Sequence, residues 1–222
     1  MKTLLSWSTG KDSAWALHLL RKDGVAVDGL FTTVNAAFDR VAMHGVRREL
    51  ARAQAAAARL PLTEIDIPYP CSNADYERIM GDFVATAGAN GVTHMAFGDL
   101  YLEDIRAYRE ARLASTGITP LFPVWGIPTA QLARDMIAAG VRARVTCLDP
   151  ARLPERFAGG DFADIADAAL PGVDPCGENG EFHTFCHAGP MFGQPVNVRT
   201  GDIVRRDGFV FCDLIAGDKD KG

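Results

Sequence analysis

The sequence predicts a doubly wound α/β fold, with a five-stranded parallel sheet followed by a smaller C-terminal α+β region. In the first two-thirds of the 222 residues, short apolar runs alternate with helical patterns of about 10–15 residues, which indicates βαβ units. Hydrophobic residues make up 48% of the chain and charged residues 23%, which is enough apolar material for a sizeable core. The last third changes to shorter elements and a Gly/Pro-rich loop. We therefore predict one domain over residues 1–125 and a smaller one over residues 126–222.

The N-terminal elements follow from apolar periodicity and from helix-breaking residues. The predicted strands cover residues 4–8, 25–34, 62–67, 92–97 and 118–123. The predicted helices cover residues 12–21, 45–59, 73–87, 103–115 and 129–139. Pro61 and Gly140 end helical segments, and Ser72 or Asn73 is expected to cap the third helix. Because each helix can cross over between two strands, the connections are expected to be right-handed and the strands parallel.

The C-terminal third carries different patterns. A strand over residues 141–148 and a short helix over 161–169 precede a Gly/Pro loop at 171–180. Residues 203–214 place an Arg-Asp-Gly turn between two β-prone runs, which predicts a hairpin. The charged tail at 218–222 is expected to fray.

Composition and charge disfavour several classes of function. A net charge of −5, from 28 acidic and 23 basic residues, disfavours nucleic acid as a partner. The five cysteines are odd in number and form no CxxC pair, which is typical of a reducing compartment, so we expect a cytoplasmic protein. Lys11 and Asp12 interrupt the N-terminal apolar run, so no signal peptide is expected. No window of about 18 apolar residues predicts a membrane helix.

The sharpest motif follows the first predicted strand and opens the first helix: Ser8-Thr9-Gly10-Lys11-Asp12-Ser13. Backbone N–H groups at a helix start are unpaired, and the helix dipole favours an anion there. Gly10 lets a ligand approach the backbone closely. The hydroxyls of Ser8 and Ser13 and the charge of Lys11 suit a phosphate. The motif is not a Walker A loop, which needs glycine where Leu5 stands. A plain strand–turn–helix connection with serine and aspartate caps is the alternative.

This loop resembles the pyrophosphate loop of the N-type ATP pyrophosphatases, the PP-loop enzymes of the adenine nucleotide alpha hydrolase-like superfamily with a HUP (Rossmann-like) fold. Those enzymes cleave ATP to AMP and pyrophosphate while adenylating a substrate. Their usual signature is Ser-Gly-Gly-x-Asp-Ser, from which Thr9 departs. Three further segments narrow the resemblance to the diphthine–ammonia ligase-like family. They are residues 98–110, residues 120–125, and residues 177–184, in which Asn179 replaces a glycine.

The resemblance implies that the chain binds ATP and Mg²⁺. The cofactor-binding candidates are Ser8, Thr9, Gly10, Lys11, Asp12, Ser13, Thr33, Met43, His44, Gly98 and Asp99. Of these, Thr33, Met43 and His44 are expected to meet adenine and ribose, although His44 also suits a plain surface position. Asp12 and Asp99 are the metal candidates, because Mg²⁺ prefers carboxylate and phosphate oxygens. Several of these residues follow strand ends, where open α/β sheets bind their ligands.

The resemblance also implies a substrate site built from two segments. The substrate-binding candidates are Glu103, Asp104, Arg106, Arg109, Glu110, Gly177, Glu178, Gly180, Glu181, His183 and Thr184. Lys11 and Asp12 are catalytic candidates at the phosphates. Glu178 and Glu181 are catalytic candidates that bind or deprotonate ammonia. Structural alternatives remain open. Glu103 and Asp104 also suit the N-terminus of a helix, where the dipole favours acids, and Arg106 and Glu110 also suit an i,i+4 ion pair. The 177–184 segment is also typical of a solvated turn.

The activity implied is that of an ATP-dependent amide ligase. A substrate carboxylate would form an acyl-adenylate and pyrophosphate, and ammonia would then displace AMP. The family substrate is diphthine, a modified protein side chain. The chain has 18 arginines against 5 lysines, which suggests a GC-rich bacterial genome, and bacteria lack diphthamide. A relative acting on another small carboxylate is therefore an open alternative, and a homodimer is left open too.

Two other classes of function compete with the ligase. A non-catalytic adenine-nucleotide-binding regulatory module is one, since Thr9 and Asn179 depart from the family pattern. An RNA-modifying sulfurtransferase with Cys176 as nucleophile is the other, but the acidic charge and the missing CxxC disfavour it. Cys176, His183, Cys186 and His187 also form a candidate zinc set, although their spacing lacks the paired pattern of structural zinc sites.

Overall fold

The computed structural model describes residues 1–217, so the tail at 218–222, expected to fray, lies outside the described residues. The strands are β1 (Thr3–Ser6), β2 (Gly29–Asn35), β3 (Arg40–Val41), β4 (Leu62–Ile67), β5 (His94–Ala96), β6 (Thr119–Leu121), β7 (Arg142–Leu148), β8 (Phe182–Ala188), β9 (Val198–Arg206) and β10 (Phe209–Ala216). The helices are α1 (Lys11–Lys22), α2 (Arg48–Ala58), α3 (Asn73–Ala89), α4 (Glu103–Leu113), α5 (Thr129–Ala138) and α6 (Phe162–Ala168). A 3₁₀ turn covers Glu155–Phe157.

The first sheet contains five parallel strands in the order β4-β2-β1-β5-β6. This arrangement confirms the predicted doubly wound fold. The chain moves outward from β1 to β2 and β4, then returns to place β5 on the other side of β1. The order therefore reverses between β1 and β5, and such a switch point opens a crevice at the carboxyl ends of the strands. The two-residue strand β3, expected as loop, pairs antiparallel with the end of β2.

The second sheet is antiparallel, in the order β8-β7-β10-β9. The strand predicted over 141–148 and the predicted hairpin are both present, with Asp207 and Gly208 at the hairpin turn. The alternative of a solvated turn over residues 177–184 is wrong from Phe182 onward. There the chain enters β8, which pairs with β7 along most of its length. Polar and apolar residues do not alternate clearly along β8, because most of its residues are buried and the strand packs against α1.

One apolar core joins the two sheets. Leu5 and Leu17, from β1 and α1, belong to the same buried cluster as Val145, Phe162 and Phe182 from the C-terminal part. Helix α1 lies between the sheets and buries seven of its twelve residues. A boundary at residue 125 thus separates two sheets that share one core. The division into two domains, residues 1–125 and 126–222, remains a prediction. Among residues 1–217, no helix combines the length and the apolar character needed to cross a membrane.

Candidate active site

A cleft of about 480 Å³ lies at the switch point, with the segment before β8 forming its opposite wall. It gathers most of the predicted site residues: Ser8, Lys11, Asp12, Ser13, Thr33, Met43, His44, Gly98, Asp99, Arg109, Gly177, Glu178, Gly180, His183 and Thr184. These residues come from the ends of three parallel strands and from the C-terminal part. The cleft is therefore built by both sheets, with residues more than 150 positions apart in sequence facing each other.

The phosphate loop leaves the start of α1 open. Gly10 is the N-cap residue and has no side chain of its own to cap the helix. Ser8 and Ser13 face each other with their hydroxyl oxygens 3.1 Å apart, and the Lys11 amide donates to the Thr184 hydroxyl at 3.2 Å. An uncapped helix start flanked by two hydroxyls fits an anionic ligand such as a phosphate.

Thr9 and Gly10 shape the loop from behind and do not line the cleft. Thr9 has φ of 72°, and its carbonyl accepts hydrogen bonds from the Cys186 amide and the Gln54 side chain, both at 2.9 Å. A Cβ atom added at Gly10 would lie 2.7 Å from His44 Cε1. Gly10 thus allows the His44 ring to pack against the loop, while Thr9 anchors the loop to β8 and α2.

Lys11 was expected to face the phosphates, and the structure turns its side chain elsewhere. Its ammonium group donates to Asp12 Oδ2 at 2.9 Å and to the Cys176 carbonyl, and it lies 5.2 Å from the ring centroids of Phe162 and Phe182. Burial acts to lower the pKa of Lys11, but Asp12, Cys176 and Glu178 together outweigh it and the pKa is raised. The lysine therefore ties the loop that carries Glu178 to the phosphate loop, and a contact with phosphate remains a prediction.

Asp12 has an oxygen that suits a magnesium ion. Its Oδ2 pairs with Lys11, whereas its Oδ1 is buried without a hydrogen-bond partner among residues 1–217. Asp99 lies 3.5 Å from Arg109, and burial raises the pKa of Asp99. Mg²⁺ commonly takes one or two carboxylates, completing its shell with phosphate oxygens and water, so Asp12 fits this role.

The candidate zinc set is not gathered around one point. The Cys176 thiol contacts the Thr129 carbonyl, and the Cys186 thiol contacts the Ala188 carbonyl. Burial raises the pKa of both thiols to about 12, which disfavours the thiolate that zinc binding and nucleophilic attack require. In the part of the chain that the structure describes, no three His, Cys, Asp or Glu side chains are arranged to hold a metal by themselves.

Glu178 reaches from the C-terminal loop into the cleft. Its Oε1 accepts the Leu100 amide at 2.8 Å, just past the end of β5. Burial raises the pKa of Glu178 to about 7, and the nearby Asp12 carboxylate adds to the increase. A carboxyl group with that pKa exchanges protons near neutrality, as a general base or acid must.

Glu181, the other catalytic candidate, lies outside the cleft. Its side chain is fully buried and accepts the amides of Asp174 and Asn179 at 3.1 and 3.0 Å. It therefore organises the loop that presents Glu178. Gly177 in the same loop has φ of 73°, and a Cβ atom there would lie 2.8 Å from the Phe182 carbonyl, so glycine is required at this position.

Two histidines lie side by side in the cleft. The His44 and His183 ring centroids are 4.7 Å apart, and His44 Nδ1–H donates to the Thr184 carbonyl at 2.9 Å. Burial lowers the pKa of His44 to about 4 and that of His183 to about 3, so both rings are neutral at pH 7. Neutral rings make this wall suitable for stacking on a base or for hydrogen bonds to a ribose.

Helix α4 contributes less than the sequence predicted. Glu103, Asp104 and Glu110 are exposed and lie outside the cleft. Arg106 stacks on the rings of Phe122 and Trp125, each at 4.8 Å, and bonds to Glu110 at 2.8 Å. These four residues occupy helix faces that point away from the cleft. Arg109, one turn further, faces the cleft and stacks on Phe97 at 4.8 Å.

Several cleft residues carry no signal in the sequence. These additional lining residues are Ser6, Trp7, Phe31, Thr32, Val41, Ala42, Tyr76, Met80, Phe97, Leu102, Ile105 and Phe182. In the sequence, most of them are indistinguishable from ordinary residues of an apolar core. Cys176, which the sequence offered as a nucleophile or zinc ligand, also lines the cleft. Gln54 was also missed: it is fully buried, accepts the Trp7 indole N–H at 2.8 Å and donates to Thr9 and Cys186. A glutamine inside an alanine-rich helix was the one available hint of this buried network.

An open phosphate loop at the switch point of a doubly wound sheet, faced by half-buried carboxyl groups, defines an ATP-utilising enzyme of the PP-loop class. The comparison with family models agrees, since the diphthamide synthase N-terminal domain matches residues 1–118. The chain belongs to the diphthamide synthase N-terminal domain family. The comparison with curated proteins gives no match.

Proposed function

We propose that this protein is an AMP-forming, ATP-dependent carbon–nitrogen ligase that adenylates a carboxylate and transfers ammonia to it, as the resemblance to diphthine–ammonia ligase suggests. The observation that carries the proposal is the position of Glu178. A carboxyl group with its pKa raised to about 7 lies in the same cleft as the phosphate loop, although it comes from the loop that precedes β8 of the other sheet. A site that only held a nucleotide would not need a proton acceptor there.

The first half-reaction uses the phosphate loop. A carboxylate oxygen of the substrate attacks the α-phosphorus of ATP, the bond from that phosphorus to the bridging oxygen breaks, and pyrophosphate leaves. The start of α1 and the hydroxyls of Ser8 and Ser13 stabilise the charge that develops on the phosphates. Asp12 would hold Mg²⁺, which would neutralise charge on the phosphate oxygens.

The second half-reaction uses Glu178. Ammonia attacks the acyl carbon, the carbon–nitrogen bond forms, and the bond from the acyl carbon to the AMP oxygen breaks. The nitrogen loses one proton to the Glu178 carboxylate, which passes it to solvent. The Leu100 amide fixes one carboxylate oxygen, leaving the other for this proton. The products are an amide and AMP.

The partners are thus ATP, ammonia and a carboxylate-bearing molecule, either diphthine or another carboxylate. All five cysteines are free, which fits a reducing cytoplasm as the location. The PP-loop class is supported by the family match; the acyl substrate remains the part to be found by experiment.

The test is isotope exchange of labelled pyrophosphate into ATP in the presence of Mg²⁺. The acids tested are a panel of carboxylic acids and elongation factor two, the protein whose side chain carries diphthine. We expect exchange that depends on one acid. The Glu178→Gln variant should keep this exchange and lose amide formation by a factor of about 10²–10⁴. Glu49→Gln, an exposed change on α2, is the matched control and should keep both activities. Amide formation at the normal rate in Glu178→Gln would contradict the proposal.

A nucleotide-binding regulatory module is the second candidate, favoured by one observation. The Lys11 ammonium is engaged by Asp12 and Cys176 and is not directed at a phosphate. In that case ATP would bind and stay intact for hours with every acid tested. Conversion of bound ATP to AMP, measured by chromatography, would exclude this candidate.

A further inference from the structure

A second cavity of about 460 Å³ opens beside the cleft, between α3 and α4. Its floor is apolar, with Phe31 from β2 and Met95 and Phe97 from the region of β5. Val84 on α3 and Leu113 on α4 form the sides. Its volume falls within the roughly 300–1,000 Å³ of pockets that hold small organic ligands.

This cavity is continuous with the candidate active site. Phe31, Tyr76, Met80, Phe97 and Arg109 line both the cleft and the second cavity. A ligand can therefore have one end at the phosphate loop and the other between the two helices. A cavity that shares this many walls with the reaction cleft is well placed to hold part of a substrate.

The lining of the cavity includes three charged residues, Glu77, Arg109 and Arg112. At the junction with the cleft, Arg109 stacks on Phe97 at 4.8 Å and contacts Asp99 through Nε at 3.5 Å. The structure records no hydrogen bond from its two terminal amino groups to any residue in 1–217. The charge of Arg112 is neutralised by Glu77. A cationic group at the junction and an apolar interior complement an acid with an apolar tail.

We propose that this cavity is the acyl subsite of the enzyme, and that the substrate is a monocarboxylic acid with an aliphatic tail. The carboxylate lies at the junction beside Arg109, and the tail enters the space between α3 and α4. This inference rests on the proposed ligase function and names its substrate class. A cationic tail is disfavoured, because the arginine side chain already stacks on the Phe97 face.

The first test measures binding without turnover. Calorimetry on the full chain, loaded with a non-hydrolysable ATP analogue and Mg²⁺, compares acetate, butanoate, hexanoate and octanoate. Burial of each CH₂ group is worth about 0.8 kcal/mol, so the Kd should fall by up to about fourfold per CH₂. Equal affinities along the series would overturn the inference. So would octanoate binding that is seen without the ATP analogue and lost in its presence.

The second test fills the cavity. Gly81 lies on α3 and lines the cavity, and a Cβ atom added there meets no atom within 4 Å, so Gly81→Leu places its side chain in open space. Leucine also favours the helix over glycine. We expect octanoate to bind at least about tenfold more weakly, with ATP binding unchanged. Ala74→Leu, on the same helix but lining neither cavity, is the control. Unchanged octanoate affinity in Gly81→Leu would refute the subsite.

These readouts separate the two proposals. If no acid supports pyrophosphate exchange but the chain-length trend and the Gly81→Leu effect are present, the ligase function fails and the subsite stands as a binding site. If exchange occurs only with short polar acids and no trend is seen, the ligase function stands and the subsite is refuted.

Discussion

Thr9 has a backbone conformation that suits glycine better than threonine. Its φ of 72° lies in the left-handed region, and its hydroxyl is buried without a hydrogen-bond partner in the described part of the chain. A side chain with a Cβ atom costs about 1–2 kcal/mol in that region. We therefore predict that Thr9→Gly unfolds with a free energy about 1 kcal/mol higher than that of Thr9→Ala.

Urea unfolding of the two variants measures this difference. The same comparison at Gly81, inside helix α3, is the control and should have the opposite sign, because alanine favours a helix over glycine. If the alanine variant at position 9 is as stable as the glycine variant, strain at Thr9 is excluded.

Glu178 should give the reaction a characteristic pH dependence. Burial raises its pKa to about 7, and a base acts only when it is deprotonated. The rate of amide formation should rise as the pH increases through about 7 and then level off. The measurement keeps the concentration of free ammonia constant at each pH. Pyrophosphate exchange is the internal control and should lack this step, and persistence of the step in Glu178→Gln would assign it to another group.

At the scale of elements, β5 and α1 approach each other closely at the candidate phosphate site. A Cβ atom at Gly98, just after β5, would lie 3.0 Å from the Ser13 amide nitrogen and 3.1 Å from the Asp12 carbonyl carbon. Both are backbone atoms at the start of α1, so they move only with the helix. We predict that Gly98→Ala weakens ATP binding at least about tenfold, since a shift of the helix start misplaces its amides.

Gly193→Ala is the matched control for this change. A Cβ atom at Gly193 meets the end of the flexible Arg59 side chain at 3.3 Å, which can move aside. Its ATP affinity, measured by calorimetry, should equal that of the unmodified protein. Normal ATP binding by Gly98→Ala would show that the start of α1 does not contact the phosphates.

The elements also show how far the sequence alone reaches. The alternation of apolar runs with helical patterns predicted the parallel sheet, because each strand and each crossover helix has a pattern that is visible in its own stretch of sequence. The strand–loop–helix arrangement of residues 3–22 was predictable for the same reason, since its three parts are contiguous in the sequence. The direction of Lys11 was not predictable, because it depends on the Cys176 carbonyl, 165 residues away. The buried role of Glu181 likewise depends on how its own loop folds back over it.

At the scale of the whole molecule, the two sheets depend on each other. The Thr9 carbonyl and the Lys11 amide are bound by Cys186 and Thr184 of β8, and Gln54 donates to the Cys186 carbonyl. The apolar face of α1 packs into the same buried cluster as Phe162. We therefore predict that the fragment of residues 1–125 does not fold by itself, although it contains the whole parallel sheet.

The energies support this prediction. Loss of a single large buried side chain costs about 2–5 kcal/mol, whereas the total stability of a domain is about 5–15 kcal/mol. Removing residues 126–222 uncovers α1 along its length and leaves the buried groups of the phosphate loop without partners. In urea titrations followed by circular dichroism, the full chain should show one cooperative transition and the fragment none. A cooperative transition in the fragment would instead mean that the parallel sheet has a sufficient core of its own, and that the division at residue 125 separates two true domains.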